Sequence, residues 1–447
     1  MKVTMLRKIC TLVSLFASLP MLSQVAPSSP SGIIDTEDDT RMITPPAVSG
    51  DFLPQQNESG LHANYLNGGV IFNGAYISNV QPGVTSKPID DYSYSIWPSL
   101  TLDQRTQRTT RMLTYSSGFT FYQKSTDLDS INQSLDARFD YEFSNQLTFS
   151  VRDALRQNSN VFNQPLSSAG GSTSPPAGAG GMGVVIPFEE ELMNNLGTIV
   201  SYQYDQTSML GGKFEYETLH FPAHSENIGL LDSHTVAGLG FYSKRMGRSQ
   251  YAGGLYRGGQ IVTSGQETTT QTHTFSLFYT FLSDKYLTIS LAAGPEHMSF
   301  TEPGALSYEE WAPWLRASFG WQAQQFRFIT DYSRDVTSGQ GILGAYATNT
   351  VDAAIHYRAT RNLTFDSVGA YENDKNSVPA LRHVYPGGHT ISWTASAGYN
   401  AREYLMLGFG YTRLHQSYSG ISNFAVTPDS NRVFTFITYY FHKPLGK

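Results

Sequence analysis

Eleven charged side chains recur two or four residues apart, in short stretches separated by long intervals. They are Asp136, Arg138 and Asp140; Arg152 and Arg156; Lys213, Glu215 and Glu217; Arg327 and Asp331; and Arg358. An arginine fork matches the planar oxygens of carboxylates and phosphates. A ladder of such forks would guide an acidic solute. The same intervals carry acids, and Glu142, Asp352 and Asp366 extend that set as Arg257 and Arg316 extend the basic one. Opposite charges facing each other across neighbouring strands would account for such a mixture without any substrate. Both readings need these residues on one wall.

Other chemistry finds little footing. The eleven histidines include His220 and His224, which an extended strand holds roughly 13 Å apart. One metal would join them only if the chain bends at Pro222. HExxH, phosphate-loop and dinucleotide fingerprints are absent. Serine, histidine and aspartate are all present, but no spacing marks a hydrolase triad. We therefore expect no enzyme, no cofactor and no metal. The acidic balance, without a basic stripe, argues against a nucleic-acid partner. One loop stands out: 163–187 is rich in Gly, Ser and Pro, and it leads into Pro187-Phe188-Glu189-Glu190-Glu191-Leu192. Proline suits the first turn of a helix, and acids suit its positive end. A short helix carrying Glu189, Glu190 and Glu191 into a pore would form a constriction that favours cations. A solvated surface loop is the simpler alternative.

The elements that would position these groups are strands. Charged residues are 15% of the 447-residue chain, well under the ~25% usual for soluble domains, and aromatics are 13%. From 134 to 144, Ser134, Asp136, Arg138, Asp140, Glu142 and Ser144 alternate with Leu135, Ala137, Phe139, Tyr141 and Phe143. Period-2 alternation of this kind reads as a half-buried strand. It returns at 146–152, 326–333 and 404–412, always with aromatic or branched residues on one face. Short polar turns centre near 107, 145, 209, 247, 284, 323, 360 and 402. The ~38-residue unit between most of them fits two strands, one short turn and one longer loop, the pattern of transmembrane barrels. Many aromatics flank the turns, among them Tyr141, Phe143, Phe241, Tyr242, Phe278 to Phe281, Trp321, Tyr357, Tyr399 and Tyr404, as interfacial girdles would. Trp97 and Trp314 could instead stack on sugar rings inside. The expected fold is all-β: a single closed antiparallel transmembrane β-barrel of about 18 strands, the first near 66–80 and the last near 431–441. Sixteen is the alternative, because the hairpin at 194–224 is irregular.

The start of the chain reads as an address. Lys2, Arg7 and Lys8 precede an apolar stretch, Ile9 to Leu19, ended by Pro20. This is a secretory signal peptide over 1–23, with cleavage between 23 and 26. Its loss removes the one cysteine, Cys10, and leaves 27 basic residues against 37 acidic. Residues 24–60 read as a flexible periplasmic leader, 61–441 as the barrel and 442–447 as a short tail. Pro27, Pro30, Pro45, Pro46 and Pro54 and the acids Asp35, Glu37, Asp38 and Asp39 give the leader its character.

The segment Tyr65 to Arg111, with Gly69, Tyr76, Asn79 and the Ser95-Ile96-Trp97-Pro98-Ser99-Leu100-Thr101-Leu102 strand, resembles the opening of β-barrel porin type 2 proteins. The hairpin repeat continues that likeness to the C-terminus. The closing Val433-Phe434-Thr435-Phe436-Ile437-Thr438-Tyr439-Tyr440-Phe441 resembles the signal read by the outer-membrane assembly machinery, although a tail follows it. The resemblance implies the outer membrane of a diderm bacterium, and an even strand count places both termini in the periplasm. Passive passage of small hydrophilic solutes, or polysaccharide export, is the expected function. A structural or adhesive closed barrel and a membrane-embedded hydrolase are the alternatives.

Overall fold

The computed structural model describes residues 42, 44–49, 64–81, 87–158, 190–222, 231–264, 268–283, 286–302, 304, 307–337, 345–381, 383, 386–419 and 429–445. All belong to the unit Arg41–Lys447. Among them are eighteen strands: β1 (Tyr65–Ile77), β2 (Asp91–Arg105), β3 (Thr109–Tyr122), β4 (Ser130–Glu142), β5 (Leu147–Asn158), β6 (Glu191–Gln203), β7 (Ser208–His220), β8 (Ser233–Arg245) and β9 (Gln250–Thr263) come first. The second half comprises β10 (Thr268–Ser283), β11 (Leu287–Thr301), β12 (Tyr308–Gln322), β13 (Phe326–Thr337), β14 (Tyr346–Arg358), β15 (Leu363–Asn376), β16 (Gly387–Arg402), β17 (Leu405–Ser419) and β18 (Asp429–Pro444). A four-residue helix, α1 (Pro46–Ser49), precedes them.

Every strand pairs antiparallel with its neighbours in sequence, and β1 pairs with both β2 and β18. The sheet is therefore closed. Closure satisfies each ladder and leaves no open edge, which a sheet in lipid requires. Eighteen strands answers the count, and the alternative of sixteen falls, because the 194–224 hairpin is the regular pair β6–β7. Its turn lies at 204–207, ahead of the expected centre at 209, since Met209 already pairs with Gln203. Asp205 closes that turn by accepting from the Thr207 amide at 2.6 Å. The final strand also runs further than expected: Lys443 pairs with Leu66 and Pro444 with Tyr65, so His442 to Pro444 belong to the wall and not to a tail.

One face of each strand is apolar and exposed, the other polar and covered. Phe275, Leu277 and Tyr279 are exposed on β10, while Thr274, Ser276 and Thr280, which alternate with them, are buried. Aromatics on the exposed face collect at both strand ends. Phe143, Tyr204, Tyr286, Trp321, Tyr357, Tyr399 and Tyr404 lie by the short turns, and Tyr76, Tyr92, Phe121 and Trp311 by the longer loops. This is an apolar belt between two girdles, the surface that a bilayer covers. The covered face carries ladders of hydroxyls, such as Thr101–Thr114 at 3.1 Å, Ser116–Ser134 at 2.7 Å and Thr280–Ser290 at 2.9 Å.

That the covered face is the interior follows from one contact. Arg257 of β9 and Asp335 of β13 lie 3.1 Å apart although three strands separate them. That separation is roughly 19 Å of wall at about 4.8 Å per strand. Side chains meet over it only on a concave surface, where the wall curves sharply. The strands between them approach closely: Gly294 on β11 lies so near β10 that a Cβ there would collide with the Phe275 carbonyl. Pro295 faces Pro313 on β12, so two amides are missing from the ladder at the same level.

Candidate functional site

The inner wall holds two groups of charge. On β4 and β5, Arg138 stands opposite Arg152 and Asp136 opposite Ala154. The Arg138 Nε lies 2.7 Å from Asp140, and Arg156 reaches Asp136 at 3.7 Å. The second group spans more of the wall. On β7, Lys213 Nζ contacts Glu215 at 2.6 Å. Arg257 reaches the same Glu215 at 3.8 Å and Asp335 at 3.1 Å, which ties β7, β9 and β13 together. Glu217 accepts from Asn195 at 3.3 Å. Glu296, buried on β11, accepts from the Thr274 hydroxyl at 3.1 Å. Period 2 explains each position: Lys213, Glu215 and Glu217 are alternate residues of one strand, and Arg327, Asp331 and Asp335, spaced by four, share one face of another.

Asp331 stands opposite Ser318 and Asp352, with Arg316 at 3.7 Å. Arg327 stands opposite Gln322 and His356. Arg358 ends its strand, and its guanidinium donates to the Gln324 carbonyl at 3.1 Å. It is thus a clasp on a short turn. The wall does not gather all eleven residues into one centre, and in both groups cations are neutralised by nearby acids.

The expected helix over 187–192 is absent where the chain is described. Glu191 and Leu192 are the first residues of β6, and Glu191 stands opposite Asn158. The Glu190 carboxylate accepts from the Gln157 side chain across the same strand pair. β6 pairs with β5 from its first residue, and that ladder takes the place of a helical turn. Glu189 and the loop 163–187 lie outside the described residues. So does His224, while His220 is exposed and contacts Asp232 at 2.5 Å.

Two features went unread in the sequence. Asp335 and Glu296 complete the Arg257 group, and the alternation of β11 and β13 would have found them. The other is apolar. Met209, Phe241, Tyr251, Leu255, Phe278, Ala292 and Trp314 form a buried cluster on the covered face, from β7 to β12. Phe241 and Phe278 therefore turn inward, against the girdle reading, because they share parity with Ser243 and Thr280. Trp97 is also inward and buried; Gly118 opposite leaves room for its indole, which a Cβ would meet at 2.5 Å. Met42, Ala47 and Val48 pack on the seven-residue cluster, so this part of the leader sits against the wall and not in open solvent.

Several solved barrels are similar in outline. The FrpB iron transporter from Neisseria meningitidis (F5-1 variant) aligns with 86% of this chain and 83% of its own at 10% identity, with a TM-score of 0.40. Pseudomonas aeruginosa OpdL aligns at 10% identity over 84% and 98%, with a TM-score of 0.39. Pseudomonas aeruginosa OccK2 (OpdF), solved in complex with glucuronate, aligns at 7% identity over 84% and 98%, with a TM-score of 0.42. No protein-family model and no curated protein matches the chain.

Proposed function

We propose that the protein is an outer-membrane channel for passive passage of hydrophilic solutes, polysaccharide export being a special case. The observation that carries this reading is the closed wall of eighteen strands with hydroxyls and paired charges inside and an apolar belt outside. A ring this wide is too large for its own side chains to fill. Mixed Arg, Asp and Glu residues then set a transverse field that sorts solutes by charge and size. In this reading Asp136, Arg138, Asp140, Arg152, Arg156, Lys213, Glu215, Glu217, Arg327 and Asp331 line the passage, and Arg358 stands at its short-turn mouth. The short turns and both chain termini face the periplasm, after export directed by residues 1–23 and insertion by the outer-membrane assembly machinery. Outer-membrane lipid covers the belt.

Single-channel recording of the refolded protein in a planar bilayer tests this. Stable conductance steps are expected; a folded, heat-modifiable barrel that never conducts overturns the reading. Replacing both Arg138 and Arg152 by alanine removes two facing cations and leaves Asp140 and Asp136. The reversal potential in a salt gradient is expected to move toward cation selectivity. An unchanged potential removes these two residues from the passage.

A further inference from the structure

The cluster of Met209, Phe241, Tyr251, Leu255, Phe278, Ala292 and Trp314 is an apolar shelf on the covered face, beside the charged residues of the Arg257 group. Water against such a shelf is unfavourable, so it calls for a cover. The cover present is part of this chain. Met42, Ala47 and Val48 are buried on the shelf, and α1 packs against β10 and β11. The Pro45 carbonyl accepts from the amides of Val48 and Ser49, both at 2.9 Å, and this tight turn presents the apolar side chains. Two polar contacts fix its ends. The Met42 amide donates to Gln203 Oε1 at 2.8 Å, and Lys213 Nζ donates to the Val48 carbonyl at 3.5 Å.

These anchors define a path. Gln203 borders a short turn, opposite Met209, and Lys213 lies four residues further along β7. The strap therefore runs about 13 Å inward from the short-turn mouth. At its inner end it touches Lys213, which is bound to Glu215 and through it to the Arg257 group. The seat is small: three apolar side chains and two hydrogen bonds. A seat this small is one the strap can leave.

We infer that Met42 and residues 44–49 form an internal strap that seats on this shelf, narrows the passage beside the Arg257 group, and must leave for full conductance. The inference rests on the channel reading, so its test separates the two. With Cys10 replaced by serine, the chain has no other cysteine. Val48→Cys and Ala292→Cys then place one thiol on the strap and one on the shelf. A reducible bis-maleimide is expected to link them within the folded barrel, and neither single variant should form the link. Conductance of the linked protein should stay low and rise at least twofold when the linker is reduced. Deleting 42–49, or making Val48→Arg, should give the higher level from the start. Failure to link in a folded barrel overturns the seat. A link that forms, with equal conductance before and after reduction and in the deletion, overturns the gate. If no variant conducts at all, the channel reading falls and the gate with it, while the link alone reports a fixed plug.

Discussion

At the residue scale, single side chains act through where alternation points them. Arg257 meets both Glu215 and Asp335, although each lies on a different strand. Gly294 has a different task, giving room for close approach of two backbones. A Cβ at that position would meet the Phe275 carbonyl and the Ser276 Cα, both of them main chain that cannot swing aside. Gly294→Val is therefore expected to block closure of the corner. Heat-modifiable folded protein should fall below about half of the wild-type yield, and a wild-type yield would remove the corner from the account. Trp97 and Gly118 form a similar pair, but the neighbour there is a side chain with some freedom.

At the element scale, strands contribute by register. β7, β9 and β13 are tied by Arg257, whose side chain is 22% exposed. Arg257→Ala would leave two carboxylates without their shared cation. Removing one partner of a buried pair costs about 3–5 kcal/mol, and partial exposure lowers this to about 2 kcal/mol. The urea midpoint should fall, conductance should rise, and selectivity should move toward cations. Arg358 supplies the contrast. It belongs to a short turn through the Gln324 carbonyl, so Arg358→Ala should leave the reversal potential nearly unchanged. Equal selectivity shifts in the two variants would deny any special place to the Arg257 group. Sequence parity put both arginines on the same face. Only the curvature of the wall separated a residue that spans the interior from one that clasps a turn.

At the scale of the whole molecule, closure and the apolar belt work together. Leu277 lies near the middle of β10 and is 75% exposed. Leu277→Arg is expected to destabilise the barrel in vesicles by about 2–4 kcal/mol, the cost of a cation at the bilayer midplane. A matched change in a detergent-free urea titration would read this. No effect would mean that this face is not in lipid. The strap belongs to this scale as well, because its shelf draws on strands from β7 to β12 and its other anchor on β6.

The alternation, the turns and the aromatic girdles are local properties, and the sequence alone determined them. Each needs only a few neighbouring residues to be expressed. Strand number and antiparallel order followed from period 2 and turn spacing. The tertiary structure decided what depends on distant partners. It brought Arg257 to Asp335 across three intervening strands, where Gly294 allows close backbone approach and Pro295 faces Pro313. It turned Phe241 and Phe278 inward, where an aromatic near a turn reads equally well as a girdle residue. It seated Met42, Ala47 and Val48 inside the barrel, although a proline-rich leader carries no periodicity of its own. A leader without a repeating pattern takes its place from the surface it meets, and that surface exists only once six strands have paired.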